Sequence, residues 1–96
     1  MILEHALLKV RDGEEAEFEA AMFEAKPLIA ASPGFLGIEV RRAMEQPGLY
    51  LLLVQWESIA HHRDGFRNSD RYRKWSGLLH RFYDSMPRVD YFGEIM

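Results

Sequence analysis

The sequence predicts an α+β domain of the ferredoxin-like type, a four-stranded antiparallel sheet with two helices on one face. Segments with strand-like alternation and segments with helical periodicity follow one another in the order β-α-β-β-α-β. A short turn joins the two middle strands, which makes them an antiparallel hairpin. The chain has 96 residues, so we expect a single domain that spans residues 1–96.

The first predicted strand covers residues 2–10 and has apolar residues on both faces. Glu4 falls on one face with Ala6 and Leu8, and His5 falls on the other. Apolar residues on both faces are typical of a strand that is covered on both sides. His5 is either a hydrogen-bonded strand histidine or a polar group that points into a substrate pocket.

The first predicted helix begins at Asp12, which is expected to cap it together with Glu15 three residues on. We place Met22 and Phe23 in the core, not in a cofactor site. Pro27 is expected to kink the helix or change its register, because proline removes one backbone hydrogen bond. The apolar stripe, spaced by three and four residues, consists of Phe18, Ala21, Met22, Ala25, Leu28 and Ile29.

The predicted hairpin consists of strands over Phe35–Arg42 and Leu49–Trp56. The second of these is almost continuously apolar, which favours a central position in the sheet. Gly37 indicates either a bulge or the close approach of another backbone or a ligand. One face of the first strand is expected to carry Leu36, Ile38 and Val40.

The stretch from residue 56 to residue 91 is where we expect a chemical site. It holds both tryptophans, three of the four histidines and three of the four tyrosines. Ser58 is expected to cap a helix that breaks near Gly65 and restarts with Ser69 as a second cap. A last strand is predicted over residues 89–95, after Pro87.

Composition excludes several classes of site. The chain has no cysteine, which excludes disulfides, thiolate nucleophiles and cysteine-bound metals. His61 and His62 are adjacent and diverge, so we predict no metal site. A net charge of −3 argues against broad nucleic-acid binding. No apolar run is long enough to span a membrane, and we expect a cytoplasmic protein.

Two helices can cover only one face of the predicted sheet. The first and third strands are nevertheless apolar on both faces. Exposed apolar area of that size is rare on monomers, so a second subunit, a ligand or both are expected on the other face.

The stretch from residue 56 onward resembles a known family. The pattern is a Trp that ends the third strand, a His six residues later, then Gly-Phe-Arg, Ser, Tyr-x-x-Trp, Leu-Leu-His-x-Phe-Tyr and Pro-x-Val. In this chain these residues are Trp56, His62, Gly65-Phe66-Arg67, Ser69, Tyr72, Trp75, Leu78-Leu79-His80, Phe82-Tyr83, Pro87 and Val89. On these residues, and on the order and length of its elements, the chain resembles the antibiotic biosynthesis monooxygenase (ABM) family of the dimeric α/β-barrel superfamily. The resemblance implies a homodimer in which two sheets face each other and close an eight-stranded barrel.

The resemblance also implies an activity, the oxidation of a small aromatic, quinol-like substrate with O₂ and without a cofactor. His62 matches a family position and is our candidate for the catalytic base, since a neutral imidazole accepts protons near pH 7. It could instead only support the junction of helix and sheet, and the aromatic residues could only pack the core. The candidate substrate-binding residues are His5, Trp56, Phe66, Tyr72, Trp75 and Tyr91.

Three other functions stay open. One is a non-catalytic small-molecule binding or stress-response protein, and another is a structural protein whose sheet face binds a different partner. The third, haem degradation, is disfavoured, because that branch uses an Asn, a Trp and a His where this chain has Ala6, Phe66 and Ser76. The matched pattern often also has a His in the last strand, where this chain has Tyr91, which argues against a mechanism that needs a His there.

Overall fold

The computed structural model describes residues 1–96. The chain forms one four-stranded antiparallel sheet, with Leu49–Trp56 and Ile2–Lys9 as its central strands and Phe35–Arg42 and Val89–Phe92 at its edges. Both helices contribute buried residues to a single core on one face of the sheet. The predicted ferredoxin-like α+β fold is therefore confirmed. The elements are β1 (Ile2–Lys9), α1 (Glu15–Ala30), β2 (Phe35–Arg42), β3 (Leu49–Trp56), a π-helical turn (His61–Phe66), α2 (Asp70–Leu79), a 3₁₀ turn (His80–Phe82) and β4 (Val89–Phe92).

Helix α1 begins later than predicted. Gly13 has a φ of +83°, which a helical residue cannot adopt, so the helix starts only at Glu15. The predicted cap at Asp12 is therefore wrong, and no side chain caps this end. The helix continues through Pro27 to Ala30.

The apolar stripe of α1 faces the core as predicted, but Phe23, which we placed in the core separately, does not. Phe18, Met22 and Ile29 are buried, but Phe23 is 81% exposed. Its assignment to the core was wrong because neighbouring helical residues point about 100° apart, and Met22 already occupies the inward direction.

Strand β2 contains the bulge that Gly37 suggested. Phe35 lies opposite Trp56, whereas Gly37 lies opposite Gln55, so Leu36 is the extra residue. The bulge brings Phe35 onto the core side with Ile38 and Val40. Leu36 leaves that side and is half exposed, so its predicted place on their face was wrong.

The segment between β3 and α2 has both predicted caps. The Ser58 hydroxyl accepts a hydrogen bond from the backbone N–H of His61 (3.3 Å), and the Ser69 hydroxyl accepts one from Tyr72 (3.2 Å). The predicted break lies between them, where residues 61–66 form a π-helical turn. Strand β4 ends at Phe92, three residues early. Phe92 pairs with Leu3, and β1 begins only one residue before Leu3.

The sheet face opposite the helices is covered by nothing within the chain. Leu7 and Phe92 on this face are about half exposed, and Leu51 and Leu53 are partly exposed. None of the helices has both the length and the apolar composition that a membrane-spanning helix requires.

Candidate functional site

A cavity of about 70 Å³ lies between the helix-covered face of the sheet and the segment of residues 62–89. Its walls are aromatic or aliphatic for the most part, with a few polar groups among them. The lining residues are Glu4, Ala6, Leu8, Ile29, Leu52, His62, Phe66, Arg67, Tyr72, Trp75, His80, Tyr83, Met86, Pro87 and Val89. A concave apolar site with a few convergent polar groups is the usual form of a small-molecule site.

A larger depression of about 260 Å³ lies between α1 and β2. Three of its four polar side chains are paired with one another, since Glu19 accepts hydrogen bonds from Arg42 (2.7 Å) and from the Tyr50 hydroxyl (2.5 Å). These groups are not free for a ligand. We therefore place the candidate site in the smaller cavity.

Four side chains from four elements form a largely buried chain of close polar contacts beside this cavity. The indole N–H of Trp56 donates to Glu4 Oε1 (2.9 Å), and the same oxygen lies 3.4 Å from His62 Nε2. The other ring nitrogen of His62, Nδ1, lies 2.6 Å from the Tyr91 hydroxyl. Glu4 and His62 are only 4% and 3% exposed.

The local fold explains why these groups meet. Glu4 lies opposite Tyr91 in the β1–β4 pairing, and Trp56 is the last residue of β3, next to β1. The π-helical turn then brings the chain back over the sheet, with the N–H of Arg67 bonded to the carbonyl of His62 (3.1 Å). π-helical turns of this kind are frequent at functional sites.

Burial shifts the pKa values of the two central groups in opposite directions. It raises the pKa of the Glu4 carboxyl to about 7, although the Trp56 hydrogen bond and the charge of Arg67 act against the rise. It lowers the pKa of His62 to about 4, and the charges of Arg67 and Arg63 lower it further. His62 is therefore neutral near pH 7, and Glu4 exchanges its proton there.

The structure brings six of the seven predicted site residues together. His62, Phe66, Tyr72 and Trp75 line the cavity. Behind them, Trp56 and Tyr91 bind the buried pair, and the Trp56 and His62 rings lie 5.4 Å apart.

His5 is not part of this group, because it lies on the opposite face of the sheet. Its ring packs edge-on against Phe92, with ring centroids 5.6 Å apart. Its Nδ1 is buried without a hydrogen-bond partner.

Sequence reasoning missed four polar residues of the site, and the most important is Glu4. The signal for it was present, since Glu4 is a charged residue within an alternating apolar face of a strand. Arg67, His80 and Tyr83 also line the cavity. Burial lowers the pKa of His80 and raises that of Tyr83. No group of three or more His, Cys, Asp or Glu side chains is arranged to hold a metal ion.

Comparison with known proteins indicates one family. The model of the family described as antibiotic biosynthesis monooxygenase (ABM) matches residues 1–77. The uncharacterized protein YczJ of Bacillus subtilis (strain 168) is 41% identical over 95 residues, which cover 99% of this chain and 100% of YczJ.

Solved structures agree with that match. One of them is the crystal structure of a Bordetella bronchiseptica protein named as a candidate antibiotic biosynthesis monooxygenase. It has a TM-score of 0.94 and 33% identity, and the match covers 99% of this chain and 97% of that one. SnoaB of Streptomyces nogalater, named as a cofactor-independent oxygenase, has a TM-score of 0.85 and 18% identity, covering 99% of this chain and 93% of its own. At that identity, SnoaB supports the fold alone.

Proposed function

Because the chain belongs to the antibiotic biosynthesis monooxygenase family, we propose that it is a cofactor-independent monooxygenase of a small aromatic, quinol-like substrate. The reaction uses O₂ and takes place in the cavity between sheet and helices. One observation carries the proposal: a buried acid–base pair, Glu4 and His62, lies at an aromatic-lined cavity.

The chemistry needs little from the protein. A phenol loses its O–H proton, or an anthrone loses a proton of its CH₂ group, and the resulting anion is electron-rich enough to give electrons to O₂. Oxygen adds to a ring carbon that bears hydrogen, and loss of water from the hydroperoxide leaves a carbonyl. The balance is R₂CH₂ + O₂ → R₂C=O + H₂O, so the substrate supplies all the electrons.

The site contains a group for each demand of this reaction. The Glu4–His62 pair, which includes the base predicted from the sequence, accepts the proton. Arg67 is an exposed cation at the cavity wall and stabilises the developing phenolate. Phe66, Tyr72 and Trp75 form the apolar wall that keeps water from the intermediate.

The size of the cavity favours a small substrate. Its volume of about 70 Å³ is below the roughly 150 Å³ of an apolar cavity that holds benzene. Binding of even one aromatic ring therefore requires side chains at the wall to move. Met86 and Arg67 are exposed wall residues and have solvent into which they can turn.

We also propose that the protein is a cytoplasmic homodimer. The uncovered sheet face, with Leu7, Leu53 and Phe92, is the apolar surface that a second copy would bury. Native mass spectrometry is expected to give twice the 11.2 kDa of one chain. Leu53→Arg is expected to give monomers, whereas Phe23→Arg, at an exposed site on α1, is expected to leave the dimer intact. A monomeric wild type at micromolar concentration would refute the barrel.

The test of activity is O₂ consumption with a panel of anthrones and quinols. We expect His62→Ala to lower kcat/KM by a factor of about 10² to 10⁴, the usual contribution of acid–base catalysis. His61→Ala is the matched control, because His61 bonds to Ser58 and does not line the cavity. Substrate binding without O₂ uptake by the wild type would instead indicate the non-catalytic binding protein. Uptake that survives His62→Ala would show that the reaction does not need His62 in the pair.

A further inference from the structure

We propose that Oε2 of Glu4 is the atom that accepts the substrate's proton, and that His62 is a positioning residue that orients and stabilises the Glu4 carboxylate. This inference rests on the proposed function and revises the role that the sequence suggested for His62.

His62 has no free nitrogen for a substrate. Nδ1 is taken by the Tyr91 hydroxyl at 2.6 Å, and Nε2 faces Glu4 Oε1 at 3.4 Å. The ring is also enclosed by aromatic neighbours, with Trp56 and Phe66 ring centroids at 5.4 Å and 6.3 Å. A substrate proton could reach a nitrogen of His62 only after one of these contacts breaks.

Glu4 does have a free atom. Its Oε1 receives the Trp56 N–H and faces His62, whereas Oε2 makes no hydrogen bond within the chain. Oε2 is not fully enclosed by the protein, since the only enclosed side-chain atoms without a partner are on His5 and Ser76. Glu4 also lines the cavity. A phenol in the cavity therefore meets Oε2 as the open acceptor of the pair.

The remaining contacts hold the carboxylate ready. A proton on His62 Nε2 points towards Oε1, and Nδ1 then accepts a hydrogen bond from the Tyr91 hydroxyl. The Trp56 N–H thus fixes Oε1, with His62 Nε2 beside it, and Oε2 is left for chemistry. Such fixing by neighbouring groups is how buried catalytic side chains keep one orientation.

The proton-transfer step balances without another reactant. The substrate O–H bond breaks, its electron pair stays on the phenolic oxygen, and the proton forms a bond to Oε2. Glu4 becomes a neutral carboxylic acid, so the pocket keeps a single negative charge, now on the phenolate. A base with a pKa of about 7 is suited to this exchange at neutral pH, and His62, with a pKa of about 4, is a weak one.

Other groups around the pair influence its titration. Arg63 and Arg67 come from the π-helical turn and its end, and the Arg63 guanidinium lies 5.3 Å from the centre of the Tyr91 ring. The same cavity is lined by Tyr72 of α2, His80 of the 3₁₀ turn and Tyr83 directly after that turn.

The test measures proton uptake when 4-nitrophenol, a phenol that O₂ does not consume, binds at pH 8. There the probe is mostly phenolate, and Glu4 with a pKa of about 7 is mostly ionised. The wild type is expected to take up close to one proton per probe bound, measured by calorimetry in buffers of different ionisation enthalpy. Absorbance reports the state of the bound phenol.

The variants distinguish the two candidate bases. Glu4→Gln is expected to bind the phenolate at least as tightly, because a negative charge is removed, and to lose the proton uptake. His62→Gln keeps an amide N–H donor and is expected to retain the proton uptake. Glu19→Gln is the control, because Glu19 is bonded to a tyrosine outside the cavity, and it is also expected to retain the uptake. With a turned-over substrate, Glu4→Gln is expected to lower kcat/KM by about 10² to 10⁴ and to lose the acidic limb of the pH profile, which His62→Gln retains.

The reverse pattern, with uptake lost in His62→Gln and kept in Glu4→Gln, would overturn the inference. So would a wild type or a Glu4→Gln variant that does not bind the probe. Proton uptake that depends on Glu4 in a protein without O₂ consumption would support the base and refute the oxygenase, so the two proposals fail separately.

Discussion

Replacement of either member of the Glu4–His62 pair is expected to expose a pH dependence of stability that the wild type hides. The two buried groups have opposite pKa shifts, and their effects on folding oppose each other over a shared pH range. Glu4→Gln and His62→Gln are the variants of choice, because glutamine keeps the hydrogen-bonding capacity and removes the titration.

The sign follows from proton binding in each state. Glu4 has a pKa of about 7 when folded and an ordinary value of 4.5, so between pH 4.5 and 7 the folded state holds a proton that the unfolded chain has released. This contribution to stability is present below pH 4.5 and is lost as the pH rises through 7. His62 has a pKa of about 4 when folded against 6.5, so its contribution is present above pH 6.5 and is lost as the pH falls through 4.

Each pKa difference corresponds to about 3 kcal/mol, at about 1.4 kcal/mol per pH unit. Between pH 4.5 and 6.5 the two slopes cancel in the wild type. Relative to the wild type, Glu4→Gln is therefore expected to gain about 3 kcal/mol in free energy of unfolding as the pH rises from 4.5 to 7. His62→Gln is expected to lose about 3 kcal/mol as the pH rises from 4 to 6.5.

Urea unfolding followed by circular dichroism at several pH values between 4 and 8 measures these differences. Protein concentration must be constant, because the stability of the proposed dimer would depend on it. Glu24→Gln, at an exposed site on α1, is the control for loss of a carboxylate. A Glu4→Gln difference that falls with rising pH would mean that His62 is protonated against a Glu4 anion, and would refute the argument from burial.

Four further predictions test single positions. Tyr91→Phe is expected to lower the free energy of unfolding in urea by about 1–3 kcal/mol, because the buried imidazole Nδ1 loses its partner. In thermal unfolding, Gly34→Ala is expected to destabilise by more than about 1 kcal/mol, since φ is +82° and the new methyl group would overlap a neighbouring imidazole. Gly77→Ala, in open space on α2, is expected to stabilise by about 0.5–1 kcal/mol. Trp56→Phe is expected to raise the pKa of Glu4 above its value of about 7, seen as a shift in the midpoint of its titration.

The sequence predicted the elements whose hydrophobic pattern depends only on residues that are close along the chain. Strands β2 and β3 begin and end at the predicted residues, and Ser69 caps α2 as expected. The errors at Asp12 and Leu36 arose where one residue's backbone conformation overrides the pattern. The positive φ of Gly13 delays α1, and the β2 bulge moves Leu36 off the core face. Neither effect repeats along the chain, so the hydrophobic periodicity of the sequence does not reveal it.

The same distinction applies to the residues of the candidate site. Phe66, Tyr72 and Trp75 are close in sequence to His62, so their clustering at one cavity could be expected from helical spacing. The partners of Glu4 could not, because Trp56 and His62 are more than fifty positions away. The same limit applies to the prediction for His5. Alternation predicted that His5 and Glu4 point to opposite faces of the sheet, but it did not predict which face holds the cavity.

The position of Glu4 is therefore a property of sheet register. β1 pairs with β3 along its whole length, from Ile2 opposite Trp56 to Lys9 opposite Leu49. A slip of one residue would turn every β1 side chain to the other face, which would put Glu4 on the uncovered face and His5 among the helices. The register is held by Ala6 and Leu8, which are buried on the same face as Glu4. Because the two central strands hold Glu4 and Trp56, the sheet itself orients the carboxylate. Binding then needs motion only in the exposed wall, at residues such as Arg67 and Met86.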